Sequence, residues 1–162
     1  MTKETKAQVR SFLDQQDAFA RENFRRYGWT IQYVLGDEES PPFGYTVGLF
    51  AFDQHPELVV FGMCPHDTSG VLNDVAGRVR HGRPAVPGEL ITFDNWPHRL
   101  HVLPLPNPAE VLFASNRFFH RPDHDSVPGR QLVWDDKDGR FPWEPGYSPP
   151  QWLQPLPSTF HA

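Results

Sequence analysis

Two short apolar runs, Tyr45–Phe50 and Leu58–Met63, constrain the fold more than any other part of the chain. Each is brief, rich in β-branched and aromatic residues, and bounded by proline, glycine or polar residues. That combination predicts buried strands. Between them, Asp53-Gln54-His55-Pro56-Glu57 reads as a polar loop that stays out of the core. Gly44, Gly48 and Gly62 sit in or beside the runs, where glycine weakens a strand and marks a bulge or the close approach of another group. That group is either a ligand or another stretch of the chain.

The flanking sequence supplies helices and further strands. Val9, Phe12, Leu13, Gln16, Phe19 and Ala20 follow i, i+3, i+4 spacing within residues 4–27, giving an amphipathic helix that Gly28 stops. Its stripe is expected to pack on the protein's own sheet, with a partner-binding or homodimer-forming role as the competing reading. Trp29–Leu35 alternates and pairs with Phe43–Phe50 across the acidic turn 36–42. Asp67 or Thr68 caps a helix over 68–81 with Val71, Leu72, Val75 and Val79 on one face. Strands follow at Glu89–Asp94 and Arg99–Leu105. Asn107-Pro108-Ala109-Glu110 reads as a capping box opening a helix to about His120. Gln131–Asp135 and Arg140–Trp143 form a small hairpin around Lys137-Asp138-Gly139.

These elements predict an α+β fold: a mostly antiparallel, barrel-like sheet with an N-terminal helix and two further helices, the first and third on one face. The 162 residues suit a single domain, divided into the helix 1–28, an α+β core 29–143 and a proline-rich tail 144–162. Trp152, Leu153, Leu156 and Phe160 would lay that tail on the body, or dock it on a partner. Aromatic residues make up 14% of the chain, enough burial to argue against disorder. A net charge of −5 and no basic run argue against nucleic acid. No apolar segment reaches the length of a membrane span or a leader, and the lone Cys64 suits a reducing compartment. The expectation is a cytoplasmic protein associated with neither membrane nor nucleic acid.

Candidate chemistry is sparse. His55 and Glu57 lie between two strands, where a loop presents polar groups beside a rigid sheet, and serve as an acid/base pair or ligand contacts. The plainer reading makes them a turn with a local cap. Cys64 precedes a helix, which can activate a thiol, with His66 beside it as base; a small buried hydrophobe is the alternative. His98, His101, His120 and His124, the last two with Asp123 and Asp125, supply metal-type donors without a ligand motif of known spacing, leaving a metal-dependent enzyme as one alternative. Neither a phosphate loop nor a Gly-x-Ser-x-Gly elbow is present. The best place for a small-molecule or protein-partner site is between the 53–57 loop and the 64–68 turn, using Tyr45, Thr46, Gly48, His55, Trp96 and His98.

GYTVGL (44–49), HPELVVFG (55–62), the Leu72–Gly82 segment with PGE (87–89), and QLVWDDKDGRFPWEPGY (131–147) together resemble a bacterial family known only as a domain of unknown function. The resemblance runs from about Trp29 to Tyr147 and implies no activity, cofactor or catalytic residue. The strand–loop–strand order of Tyr45–Phe50, His55-Pro56 and Leu58–Met63 is also similar, more loosely, to flavin-reductase-like split barrels. That similarity implies a flavin-dependent oxidoreductase holding FMN through Thr46 and backbone amides of the first loop.

Overall fold

The computed structural model describes residues 2–156. Helix α1 (Lys3–Tyr27) starts at Thr2, whose hydroxyl accepts the Thr5 amide, and ends at Gly28, whose N–H donates to Phe24 O. There follow β1 (Thr30–Val34), β2 (Phe43–Val47), β3 (Glu57–Phe61), α2 (Pro65–Arg80), β4 (Leu90–Ile91), β5 (Leu100–Leu105), α3 (Phe113–Phe118) and β6 (Gly129–Trp134). The six strands form one sheet in the order β1-β2-β3-β6-β5-β4. All neighbours run antiparallel except β3 and β6, which are parallel with Glu57 opposite Gly129. The fold is α+β. β1 and β4 end the sheet as separate edges, so the sheet is open and the expected barrel does not form.

Side chains alternate between the two faces, as the period of a strand requires. Leu58, Val60, Leu100, Val102 and Leu132 pack with Val71, Leu72, Val75 and Ala76 of α2. Phe43, Tyr45, Val47, Val59 and Phe61 meet Val111, Leu112 and Phe118 on the other face. α3 is tied there by Ser115 Oγ donating to Thr46 O at 3.0 Å and by the Ala114 amide donating to Tyr45 Oη at 2.9 Å. Gly44 lets α2 sit close, because a Cβ there would lie 2.4 Å from Thr68 Cγ2.

Several local expectations are corrected. The run Tyr45–Phe50 leaves the strand after Val47, where Gly48 takes φ 121° and Leu49–Ala51 form a 3-10 turn. α2 begins earlier than expected, with Cys64 as its cap. Glu89–Asp94 contributes only Leu90–Ile91, and the Thr92 carbonyl is taken by Arg78 at 3.0 Å. The helix expected from Pro108 is broken: Asn107 gives no side-chain cap to the backbone, and Pro108–Glu110 form a 3-10 turn. Val111 and Leu112, both driven fully into the core, interrupt the chain before α3. Arg140–Trp143 form no strand, because β3 and β5 occupy both sides of β6. Asp136 instead closes a tight turn by accepting the Asp138 and Arg140 amides, each at 2.9 Å.

α1 shares a face with α3, but its apolar stripe is not packed on the sheet. Val9, Phe12 and Phe19 are 44%, 58% and 65% exposed. The bonds that hold α1 begin at Asp17, paired with Arg117 at 2.7 Å, and continue through Asn23 to Thr30 and the ring contact of Phe24 with Phe118. At the other end, Gln154 is buried against β6, its Oε1 accepting the Trp134 amide and its Nε2 donating to Trp134 O, both at 2.9 Å. Leu153 lies against Gly62, and Trp152 is exposed. Phe160 lies outside the described residues. No helix among the described residues is long and apolar enough to cross a membrane.

Candidate functional site

The loop expected to present His55 and Glu57 to ligand instead folds them inward. Glu57 is fully buried as the first residue of β3. Its Oε2 accepts Thr46 Oγ1 at 2.8 Å, and its Oε1 accepts the Gly48 and Phe50 amides at 3.0 and 2.9 Å. The carboxyl therefore caps the 3-10 turn after β2, a place where an acidic group meets converging N–H donors. Burial pushes its pKa up to about 8, against the opposing pull of the Phe50 amide, Thr46 and Gly48. His55 is buried too. Its Nε2 accepts the Ala85 amide at 3.1 Å, so its Nδ1 carries the proton and donates to Pro56 O at 2.7 Å. Arg130 donates to Ala85 O, so this pair of side chains pins the 83–88 segment to the sheet.

The remaining donors of the flavin reading are spent in the same network. Thr46 Oγ1 also accepts the Leu58 amide at 2.9 Å, and Gly48 N is held by Glu57. Tyr45 is buried, its hydroxyl held by Ala114 and its pKa pushed up to about 12, chiefly by burial. The glycine at 48 accommodates α1 and the chain after it: a Cβ there would stand 2.7 Å from Phe24 Cδ2 and 3.2 Å from Gly28 O. The group that approaches these strands is thus the chain itself.

The structure assembles a different constellation on the outer side of α2. A cleft of about 310 Å³ opens between α2 and the 93–96 segment, with His66, Asp67, Asp74 and Arg78 on the helix side. Phe93, Asp94, Asn95 and Trp96 close the other side. With Gly70 and Val71 between them, the helix residues recur every three to four positions, which places them on one face. Arg78 is fixed by Asp74 at 2.7 Å and by Thr92 O at 3.0 Å, and its guanidinium carbon sits 4.9 Å from the Phe93 ring centre. Phe93 meets Trp96 edge to face, with centres 5.3 Å apart.

Trp96 is backed by a rigid ladder. Its ring centre is 4.7 Å from His98, whose ring in turn meets Trp134 at 5.7 Å. His98 Nδ1 lies 2.7 Å from Asp135 O and 3.1 Å from Asp135 Oδ1. Arg99 fixes that buried carboxylate through its backbone N and its Nε, each at 3.0 Å. Trp134 Nε1 donates to Phe61 O at 2.8 Å. A wall held this way meets the main requirement of a binding site, which is side chains locked before the ligand arrives.

Of the residues singled out from sequence, His66 and Trp96 come together at the cleft, with His98 one ring behind. Tyr45, Thr46, Gly48, His55 and Glu57 belong to the interior. Cys64 is exposed, and its Sγ accepts the Asp67 amide at 3.5 Å as the cap of α2. His101 stands edge-on to the stacked rings of Phe141 and Trp143, with its Nδ1 buried and unpaired among the described residues. His120 ends α3 with φ 54°, and His124 sits in a 3-10 turn. Among the described residues, no group of three or more His, Cys, Asp or Glu side chains is arranged to hold a metal ion. Asp74, Arg78, Phe93 and Asp94 escape sequence reasoning. The i, i+4 spacing of Asp74 and Arg78 was the available signal, and it reads as an ordinary surface pair until Phe93 is placed beneath it.

A family model described as a domain of unknown function (DUF4262) matches residues 23–148, which include the whole cleft. No curated protein and no solved structure matches the chain.

Proposed function

The chain belongs to this family of domains of unknown function (DUF4262), and from that premise we propose that it is a small-molecule-binding protein whose site is the cleft between α2 and residues 93–96. One observation carries the reading: polar and charged side chains converge on a pre-locked aromatic wall around a concave space of about 310 Å³. That volume lies at the small end of the range for ligand pockets. The 64–68 turn contributes to this site through His66 and Asp67, whereas the 53–57 loop serves the fold.

Gly70 gives a clean test. It lines the cleft on α2, and a Cβ added there meets nothing within 4 Å. Gly70→Leu therefore fills the cleft while improving helix propensity by about 1 kcal/mol. Native mass spectrometry of protein from its own host is expected to show a small-molecule adduct on the wild type that the variant lacks. An adduct-free wild type, or an adduct indifferent to the substitution, refutes the reading.

The exposed stripe of α1 favours a second reading, association of two copies. Phe12 and Phe19 line a groove of about 550 Å³ between α1, β1 and α3, and Val9 is exposed one turn before Phe12. An amphipathic helix gains most of its stability from covering such a face. Light scattering is expected to give a dimer for the wild type and a monomer for Phe12→Ser/Phe19→Ser; a monomeric wild type at high concentration ends this reading.

A further inference from the structure

Resting on the small-molecule reading of the cleft, we propose that its ligand carries an organic cation, an ammonium or guanidinium group. The cleft is lined by three carboxylates, Asp67, Asp74 and Asp94, against one arginine. Arg78 is already neutralised by Asp74. Asp67 and Asp94 are exposed and have no cationic partner among the described residues, so two negative charges face the space beside Trp96 unopposed.

The cleft also holds a built example of what it recognises. The Arg78 guanidinium rests 4.9 Å from the centre of Phe93 while bonded to the Asp74 carboxylate and the Thr92 carbonyl. An aromatic face, a carboxylate and a carbonyl form the complementary environment for a delocalised cation. Next to it, Trp96 with Asp94 and Asp67 offers the aromatic and carboxylate parts again, without a cation among the described residues to fill them. Trp is the strongest of the cation-binding rings.

The opposite polarity has less to work with. The start of α2 borders the cleft, and a helix N-terminus ordinarily favours an anion. Here Pro65 has no N–H, the Asp67 amide is given to Cys64 Sγ and the Thr68 amide to Cys64 O. Asp67 itself adds negative charge to that end. Arg78, the cation that would bind an anion, is held at both its Nε and its Nη2.

The matched trio benzamidinium, benzamide and benzoate separates charge from shape. The indole N–H resonance of Trp96, identified by its loss in Trp96→Phe, reports binding in a two-dimensional NMR titration. Benzamidinium is expected to shift that signal saturably, and benzamide and benzoate to leave it in place. Asp67→Asn/Asp94→Asn, two exposed and unpaired positions, is expected to weaken benzamidinium by about tenfold or more while leaving the rest of the spectrum intact. If benzamide or benzoate shifts Trp96 as strongly as benzamidinium, or the double variant binds benzamidinium unchanged, the cation assignment is overturned and the cleft remains a ligand site. If none of the three moves Trp96, the cation assignment is overturned, and an adduct lost in Gly70→Leu then decides separately whether the cleft binds a ligand of another kind.

Discussion

Replacing Glu57 by glutamine separates the hydrogen bonding of this buried side chain from its proton. The carboxyl sits where three donors converge, yet burial raises its pKa from the usual 4.5 to about 8. Between those values the folded protein holds a proton that the unfolded chain releases. The stability this brings is fully present below pH 4.5 and is lost as pH rises through about 8. The slope approaches about 1.4 kcal/mol per pH unit, for a total loss on the order of 5 kcal/mol across the window. His55 acts in the other direction. Burial lowers its pKa from 6.5, so its contribution is present above that value and is lost as pH falls through the folded one. The two trends overlap in the raw curve, and the difference between wild type and Glu57→Gln removes the His55 part. Glutamine keeps an acceptor for the Gly48 and Phe50 amides but leaves the Thr46 hydroxyl proton without one, a cost of about 1–2 kcal/mol. Urea unfolding followed by tryptophan fluorescence, from pH 4.5 to 9, is the assay. The wild type should lead by about 1–2 kcal/mol in acid, lose that lead through neutrality, and level off about 3 kcal/mol behind the variant above about 8. A difference that stays flat over the whole range refutes the reasoning, because it would mean that the three donors keep the carboxyl ionised despite its burial.

Gly48→Ala should cost about 2–3 kcal/mol, since φ 121° strains any side chain and the new Cβ collides with Phe24; chemical denaturation reads this directly, and an unchanged midpoint argues against the placement of α1. Gln154→Ala should destabilise by about 2–3 kcal/mol by stripping partners from both the N–H and the carbonyl of Trp134. Thermal melts would expose a dispensable tail as a loss of less than a degree. His101→Phe should raise stability by about 1 kcal/mol, because it replaces an unpaired buried nitrogen with an apolar ring edge-on to the stacked Phe141 and Trp143. A drop in melting temperature would point to an unseen partner for Nδ1.

The local elements were legible wherever one face of a periodic segment is buried. The alternation of Trp29–Leu35 and the spacing of Val71, Leu72 and Val75 place β1 and the core face of α2 correctly. The α1 stripe was equally visible, and its helix forms, but periodicity says only that a face is apolar, not what covers it. The failure at Asn107–Glu110 has the same root: the capping signal is local, while the full burial of Val111 and Leu112 is imposed by the sheet beneath them.

By itself, then, the sequence determined most of the helices and strands, the α+β class and the family, because each was read from short motifs and periodic segments of the chain. Only the tertiary structure decided the fate of the polar ones. Glu57 and His55 are affordable inside because Thr46, Gly48, Phe50 and Ala85 arrive from other segments with the hydrogen bonds that burial demands. Asp67, Asp94 and Trp96 form a cleft because α2 and the 93–96 segment, separate in sequence, pack side by side on the same sheet. A polar residue declares its chemistry in the sequence; whether it becomes core or site depends on which distant groups the fold brings to it.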